Sequence, residues 1–177
     1  HAPVGSALIW CGWTVTPVDI LFGKEHDLSD PGVQKDSADK CANADACIWA
    51  PDCSTLSRAR DRRLSAPGGG PPVLRNAEFV KGLPTLSGTD LTKVKRANAF
   101  VGFTFISAQQ GARQGIGDVI ENPARSWFWE FPGAKQPQSE DSWQSLRYDA
   151  CAWAGPRCKA QPLQTNMDEM QEVAAPY

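Results

Sequence analysis

Long apolar runs, closely paired cysteines and an excess of one charge are all missing from this 177-residue sequence. No apolar stretch approaches the roughly 18 residues that a membrane-spanning helix needs, so we expect no membrane span. No C-x-x-C pair occurs among the six cysteines, which argues against a zinc site, and we predict no metal. The formal net charge is only −2, so overall charge gives no argument for nucleic-acid binding.

The usual phosphate-binding sequences are absent as well. Neither the G-x-G-x-x-G fingerprint nor a P-loop sequence is present. The sequence has two histidines, His1 and His26. Neither is close in sequence to Cys53, which is a candidate nucleophile. A small cysteine–histidine enzyme therefore requires His26 to approach Cys53 in space, and this stays an alternative.

The cysteines and the first residues bear on the cellular location. His1-Ala2-Pro3 lacks the basic segment and the apolar core of a secretory signal, although the missing initiator methionine leaves removal of a leader open. Cys11, Cys47 and Cys151 lie in apolar runs, where a thiol behaves as a small hydrophobic group. We therefore expect a reducing, intracellular location, with nucleus, cytoplasm and organelle not distinguished.

What is present predicts one α/β domain over residues 1–177. Strand-like runs alternate with helical patterns, which predicts a mostly parallel, Rossmann-like sheet with helices on both faces. We expect strands at 13–20, 47–51, 118–120 and 162–165, and helices at 31–42 and 87–113. A long loop, 54–88, follows the second strand, and we interpret it as a lid over an active site.

Two of the expected strands end in groups that carry chemistry. The run Cys47–Pro51 leads through Asp52 to Cys53, and the run Asp118–Ile120 leads to Glu121-Asn122-Pro123. Ligands of open α/β sheets bind at the carboxyl ends of strands. A thiolate attacks an electrophilic carbon, and a nearby carboxylic acid makes a ring more electrophilic by protonating its nitrogen. We interpret Cys53 as a nucleophile and Glu121 as its acid. The alternatives are a buried cysteine and a strand-to-helix turn capped by Asn122.

Basic, aromatic and acidic residues flank these strand ends. Four arginines follow the nucleophile directly: Arg58, Arg60, Arg62 and Arg63. They predict either phosphate contacts or a solvated loop. Aromatic residues that predict either base stacking or core packing follow Pro123: Trp127, Phe128, Trp129 and Phe131. Asp19, near the end of the first expected strand, predicts either a ribose contact or a turn cap.

The order of these motifs resembles the core of the DNA cytosine-5 methyltransferases. That family has Pro-Pro-Cys at its nucleophile, Glu-Asn-Val at its acid and Gln-x-Arg-x-Arg after a turn near its last strands. The matching segments here are Pro51-Asp52-Cys53, Glu121-Asn122-Pro123 and Gly155-Pro156-Arg157-Cys158-Lys159. A helix and then a strand-like run over residues 6–20 are similar to the family's first helix and second strand. The resemblance covers about residues 5–165.

The resemblance implies a methyltransferase that uses S-adenosylmethionine and acts on cytosine C5 in nucleic acid. Cys53 would add to C6 of a flipped-out base, while Glu121, Asn122 and Arg157 would complete the catalytic site. The cofactor would be contacted by Asp19, Asp27 and Pro51. The nucleic acid would be contacted by Arg58, Arg60, Arg62, Arg63 and Lys159. The alternative is a catalytically inactive relative that serves as a nucleic-acid-binding or scaffold subunit of a larger assembly.

Overall fold

The computed structural model describes residues 3–61, 70–135, 142–149 and 160–174. The sheet contains the strands β1 (Ala46–Trp49), β2 (Gly117–Glu121), β3 (Gln144–Asp149) and β4 (Ala160–Thr165). The α-helices are α1 (Pro3–Trp10), α2 (Pro31–Cys41), α3 (Gly88–Arg113) and α4 (Pro132–Lys135). Short 3-10 helices cover Ile20–Phe22, Lys24–His26, Arg58–Asp61, Trp127–Glu130 and Asp168–Ala174.

The sheet is mixed, with the strand order β1-β2-β4-β3. β1 pairs in parallel with β2, whereas β4 pairs antiparallel with both β2 and β3. The α/β class is confirmed. The prediction of a mostly parallel, Rossmann-like sheet is wrong, because two of the three pairings are antiparallel. Only residues 150–159 link β3 to β4, and this is shorter than the crossover that a parallel pair of neighbours requires.

Three of these strands nevertheless run in the same direction. β3 is antiparallel to β4, and β4 is antiparallel to β2, so β3 has the direction of β1 and β2. The last residues of these three strands, Trp49, Glu121 and Asp149, therefore lie at one end of the sheet, which we call the carboxyl edge. Asp149 pairs with Ala160 of β4, so the described residues on either side of 150–159 also lie there.

Helices α2 and α3 pack against the face of β1 that carries Cys47 and Trp49. The ring of Trp49 meets the ring of Phe103 on α3 edge-on, with 5.7 Å between the centroids. Ile48 points to the opposite face of β1 and is 49% exposed. The described residues therefore cover this face of β1 less completely than the face that carries Trp49.

Local signals predict the two longer helices correctly. The Asp30 carboxylate accepts hydrogen bonds from the backbone N–H groups of Gly32 and Val33 and so caps α2. The 26-residue helix α3 ends at Arg113, and Gly115 then adopts a φ of 77°, which an L-residue rarely adopts. Caps and glycine stops act within one turn of the chain, so the sequence alone reveals them.

The strand predicted over 13–20 is wrong. Residues 13–19 have no regular structure, and Ile20–Phe22 form a 3-10 helix. Pro17 has no N–H to donate to a ladder, and the side chain of Trp13 is 49% exposed. Asp19 caps the 3-10 helix by accepting a hydrogen bond from the N–H of Leu21 at 2.9 Å. This is the turn-cap alternative.

A buried arginine fixes the described part of the 54–88 loop. Arg75 is 1% exposed, and its guanidinium donates to the carbonyl and hydroxyl oxygens of Thr55, to the carbonyl of Val80 and to Oδ1 of Asn98. These bonds, 2.7 to 3.1 Å long, join the start and end of the loop to the middle of α3. Burial lowers the pKa of Arg75 to about 10. The lid interpretation does not fit these residues, because a buried cation holds them in place.

Replacing Arg75 by methionine is expected to destabilise the fold strongly. The substitution keeps the side chain long but leaves the carbonyls of Thr55 and Val80 and the Asn98 side chain without their donor, which costs about 3 kcal/mol in total. Urea denaturation followed by tryptophan fluorescence measures the change. Arg113→Met, at the exposed end of α3, is the matched control and should stay within about 0.5 kcal/mol of the wild type. Equal losses in the two variants would contradict the role of Arg75.

Candidate functional site

The loops that follow β1 and β2 are joined to each other at the carboxyl edge. The N–H of Trp127 donates to the carbonyl of Leu56 at 2.8 Å. Ser57 and Ser126 form an isolated antiparallel bridge. Two loops that are distant in sequence are thereby held side by side, directly after two neighbouring parallel strands.

Cys53 lies in the first of these loops, four residues after β1 ends. Its carbonyl accepts hydrogen bonds from the N–H groups of Leu56 at 3.0 Å and Ser57 at 2.8 Å, and its side chain is half-buried. The Asp52 carboxylate accepts from the backbone N–H of Ser54 at 2.9 Å and from its hydroxyl. The thiol therefore projects from a turn that main-chain bonds and a carboxylate stabilise.

Glu121 is the last residue of β2 and is half-buried. Its Cα partner is Leu163 on β4. Burial, and then the nearby charge of Glu121, raise the pKa of Tyr148 on β3. Cys53 thus follows β1 and Glu121 ends the neighbouring parallel strand β2, and the roles predicted for the two residues stay predictions. Tyr148 was not predicted there, because only the strand order β2-β4-β3 brings it near Glu121.

Asn122 connects the two strand ends directly. It is fully buried, and its side-chain amide donates to the carbonyl of Pro51 at 2.9 Å. Its Oδ1 has no hydrogen-bond partner among the described residues. This geometry makes Asn122 a positioning residue that fixes the separation of the two loops, and its predicted part in catalysis stays a prediction.

The residues predicted to contact S-adenosylmethionine are engaged elsewhere. Asp19 caps a 3-10 helix. Asp27 forms a salt bridge with Arg96 at 2.9 Å and accepts hydrogen bonds from Ser29. Burial raises the pKa of Asp27, but the bonds from Ser29 and Arg96 outweigh it and lower that pKa overall. The carbonyl of Pro51 already accepts from Asn122. The cofactor contacts predicted for these three residues stay predictions.

The predicted phosphate-binding arginines that the structure describes make contacts within the protein. The guanidinium of Arg58 lies 3.9 Å from the centre of a Trp127 ring and bonds to Glu130 at 2.8 Å. Arg60 donates to the carbonyl of Ser54 at 2.7 Å. The remaining predicted residues lie outside the described residues: Arg62, Arg63, Arg157 and Lys159. Their roles stay predictions.

The aromatic run after Pro123 belongs to the core. Trp127, Phe128 and Phe131 are all less than a tenth exposed, and Trp129 packs against them with its ring edge-on to Phe128. Core packing is therefore the alternative that the structure supports over a base-stacking platform. His26 lies against the ring of Phe22, with 5.7 Å between the centroids, and this contact lends no support to a cysteine–histidine pair.

A second polar cluster, which the motifs did not reveal, lies between β1, β2 and the helices. It contains Cys41, Cys47 and Asp118. Asp118 is 1% exposed; its Oδ1 accepts from the indole N–H of Trp49 at 2.7 Å, and its Oδ2 has no partner among the described residues. Burial raises the pKa of Asp118 to about 7, against the opposing effect of the Trp49 hydrogen bond. The sequence offered one indication of this buried acid, because Asp118 begins the apolar run Asp118–Ile120.

Comparison of the chain with protein-family models, with curated proteins and with solved structures found no match. The methyltransferase resemblance therefore depends on the motifs and on where the fold places them. Within the described ranges, no helix is both long enough and apolar enough to cross a bilayer.

Stability is expected to fall with rising pH through Asp118. Its folded-state pKa, about 7, is raised above the ordinary 3.8, so between about pH 4 and 7 the folded state holds a proton that the unfolded state has released. This group alone lowers the unfolding free energy by up to about 1.4 kcal/mol per pH unit in that window. Asp118→Asn should remove this slope in urea titrations, while Asp39→Asn, at an exposed site, should keep it. An unchanged slope in the Asp118 variant would contradict the assignment.

Removing the Asn122 amide is expected to loosen the carboxyl edge. Asn122→Ala leaves the buried carbonyl of Pro51 without a donor and should lower the unfolding free energy by about 2 kcal/mol. Asn43→Ala is the matched control, because the Asn43 amide also donates to a carbonyl, that of Asp39, but at an exposed site. Urea denaturation distinguishes the two, and a control that loses as much stability would count against this role.

Proposed function

We propose that this protein is methyltransferase-like and acts on C5 of cytosine in nucleic acid, with Cys53 as the nucleophile. The observation that carries the proposal is the parallel pairing of β1 with β2, whose ends lead to Cys53 and Glu121. The bond from Asn122 to Pro51 supports it by fixing these ends together. The strand that precedes Gly155–Lys159 also ends at this edge. The three motifs therefore follow three strands of one direction, in the order of the resemblance.

The proposed chemistry uses two groups of this chain. The Cys53 thiolate forms a bond to C6 of the base while Glu121 gives a proton to N3, and the electron pair of the C5–C6 double bond moves toward C5. C5 becomes nucleophilic and accepts either a proton from water or a different electrophile. Loss of a proton from C5, departure of the thiolate from C6 and return of the N3 proton to Glu121 then restore the ring. The base must leave the helical stack for C6 to be reached.

S-adenosylmethionine would supply a methyl group as the electrophile when bound. Asp19, Asp27 and Pro51 would hold it, and each of them also makes a contact within the protein. No step above depends on it. Addition of Cys53 and proton exchange at C5 can therefore be tested without the cofactor.

The test is release of tritium from cytosine labelled at C5, in single-stranded and duplex DNA and in RNA, without S-adenosylmethionine. The wild type should release label into water. Cys53→Ser should abolish release, and Glu121→Gln should slow it by about 100-fold, as expected for loss of a general acid. The controls Cys11→Ser and Glu25→Gln, at exposed sites, should keep the wild-type rate.

Two results of this experiment would contradict the proposed function. Release that persists in Cys53→Ser rules out the proposed nucleophile. No release by the wild type, with any of the nucleic acids, rules out base addition by this chain. A second series with labelled S-adenosylmethionine then asks whether label reaches C5 and whether Cys53→Ser prevents it.

A non-catalytic subunit of a larger assembly is the second candidate, and the surface of the N-terminal segment favours it. Large apolar side chains are exposed there: Val4, Ile9, Trp10, Trp13, Ile20, Leu21 and Phe22. Trp10 is 89% exposed and Leu21 is 87% exposed. Exposed apolar side chains clustered in sequence are typical of surfaces that contact another protein. This candidate predicts no tritium release, and nucleic-acid binding or assembly that Cys53→Ser leaves intact.

A further inference from the structure

Cys41 and Cys47 form a pair of neighbouring thiols. Cys41 is the last residue of α2, Cys47 lies on β1, and both are half-buried. Both side chains line the same small cavity. A turn of four residues joins the helix to the strand, so the two cysteines lie on either side of a tight reversal of the chain.

Both thiols line a small cavity that contains an acid. The cavity has a volume of about 40 Å³, and its wall includes Asp118, which is the Cα partner of Cys47 in the sheet. Paired residues of neighbouring strands point to the same face, so Cys47 and Asp118 lie side by side. Gly111 on α3 lies next to this acid, and a Cβ at that position would lie 2.6 Å from Oδ2 of Asp118. The unpartnered oxygen is therefore buried against the backbone of Gly111, where a larger residue would crowd it.

We propose that Cys41 and Cys47 are a redox site that reacts with hydrogen peroxide and closes to a disulfide bond. This inference is independent of the function proposed above, since it uses neither Cys53 nor Glu121. Cavity size points to a small oxidant. Exposed Ala42 and Gln114 line the cavity, so it reaches solvent, and 40 Å³ admits a molecule little larger than water.

The reaction balances with one peroxide and two thiols. The Cys41 thiolate attacks one oxygen of the peroxide, the O–O bond breaks, and the leaving oxygen departs as water after taking a proton. The product is a sulfenic acid on Cys41. The sulfur of Cys47 then attacks that of Cys41, its proton passes by way of the Asp118 carboxylate to the leaving hydroxide, and a second water is released. Two thiols are oxidised, and the peroxide is reduced to two waters.

The order of attack follows from the environments of the two thiols. The hydrogen bond from Cys47 lowers the pKa of Cys41, and it outweighs burial and the charge of Asp118, which both raise it. The pKa of Cys47 is raised by the same bond, by burial and by the charges of Cys41 and Asp118. Since the thiolate is the nucleophile, Cys41 attacks first and Cys47 resolves the intermediate. Within the described residues, no three His, Cys, Asp or Glu side chains group as metal ligands.

The test maps disulfides after treatment of the full chain with hydrogen peroxide. Unreacted thiols are alkylated, and a protease that cuts before aspartate is used, because cleavage before Asp45 and Asp52 places Cys41, Cys47 and Cys53 on separate peptides. The proposal predicts about tenfold more of the Cys41–Cys47 pair than of any other, because selectivity follows thiolate character and proximity. A dithiol reductant should restore both thiols.

Two variants test the assigned roles. In Cys47→Ser the sulfenic acid on Cys41 cannot be resolved, so a 1,3-dicarbonyl reagent should label Cys41. In Cys41→Ser the remaining Cys47 should stay reduced under the same treatment. Cys11→Ser should behave as the wild type, and circular dichroism of each variant checks that the fold is retained. A disulfide that joins Cys53 to either cysteine, or full alkylation of both Cys41 and Cys47 after peroxide, would overturn the proposal.

Discussion

The parallel pairing of β1 with β2 is the constraint on which the candidate site depends. The register sets Trp49 opposite Ile120, so the segments that follow β1 and β2 leave the sheet side by side. The bond from Asn122 to the carbonyl of Pro51 continues this pairing beyond the last ladder bonds. Without it, Cys53 and Glu121 would follow two unrelated strands. With it, they follow neighbouring strands that leave the sheet at the same edge.

A long irregular loop can hold such a site only if something orders it, and Arg75 serves that purpose here. The loop contributes few strand or helix bonds of its own, and a charged donor inside the core replaces them. One guanidinium reaches the start of the loop at Thr55, its later part at Val80, and α3 at Asn98. The cost of burying a cation is offset by these bonds, and this is why the site depends on a residue that is not part of it.

The sequence predicted local features well and long-range pairing poorly. Asp30 and Pro31 predict the start of α2 because a cap acts within one turn of the helix. The helical spacing of Val94, Ala97 and Val101 predicts α3. The insertion of β4 between β2 and β3 leaves no such local mark, so the mixed sheet was missed. Asp19 shows the same limit, because an acid after a β-branched run fits a ribose contact and a turn cap equally well.

The same contrast between local features and long-range pairing applies to the residues of the candidate site. Cys53 and Glu121 were proposed because strand ends can be recognised in the sequence, and their placement at one edge requires only that β1 and β2 be parallel neighbours. Asp118 and Tyr148 were missed, since their importance comes from what lies across the sheet. Arg58 and Arg60 were predicted to bind phosphate from their number alone, whereas contacts with Trp127, Glu130 and Ser54 engage their guanidinium groups. A count of charges does not show which of them the fold uses internally.

Both clusters are built on the same two strands, yet they use different parts of them. Cys47 and Asp118 lie on the face of the sheet that the helices cover, whereas Cys53 and Glu121 follow the strand ends. Trp49 lies between them, since its indole bonds to Asp118 and its backbone leads to Pro51. Substitutions in clusters that share no side chains are expected to add independently. A departure from additivity between Asp118→Asn and Cys53→Ser would therefore measure how far the buried acid influences the carboxyl edge, and Trp49 is one route for that influence.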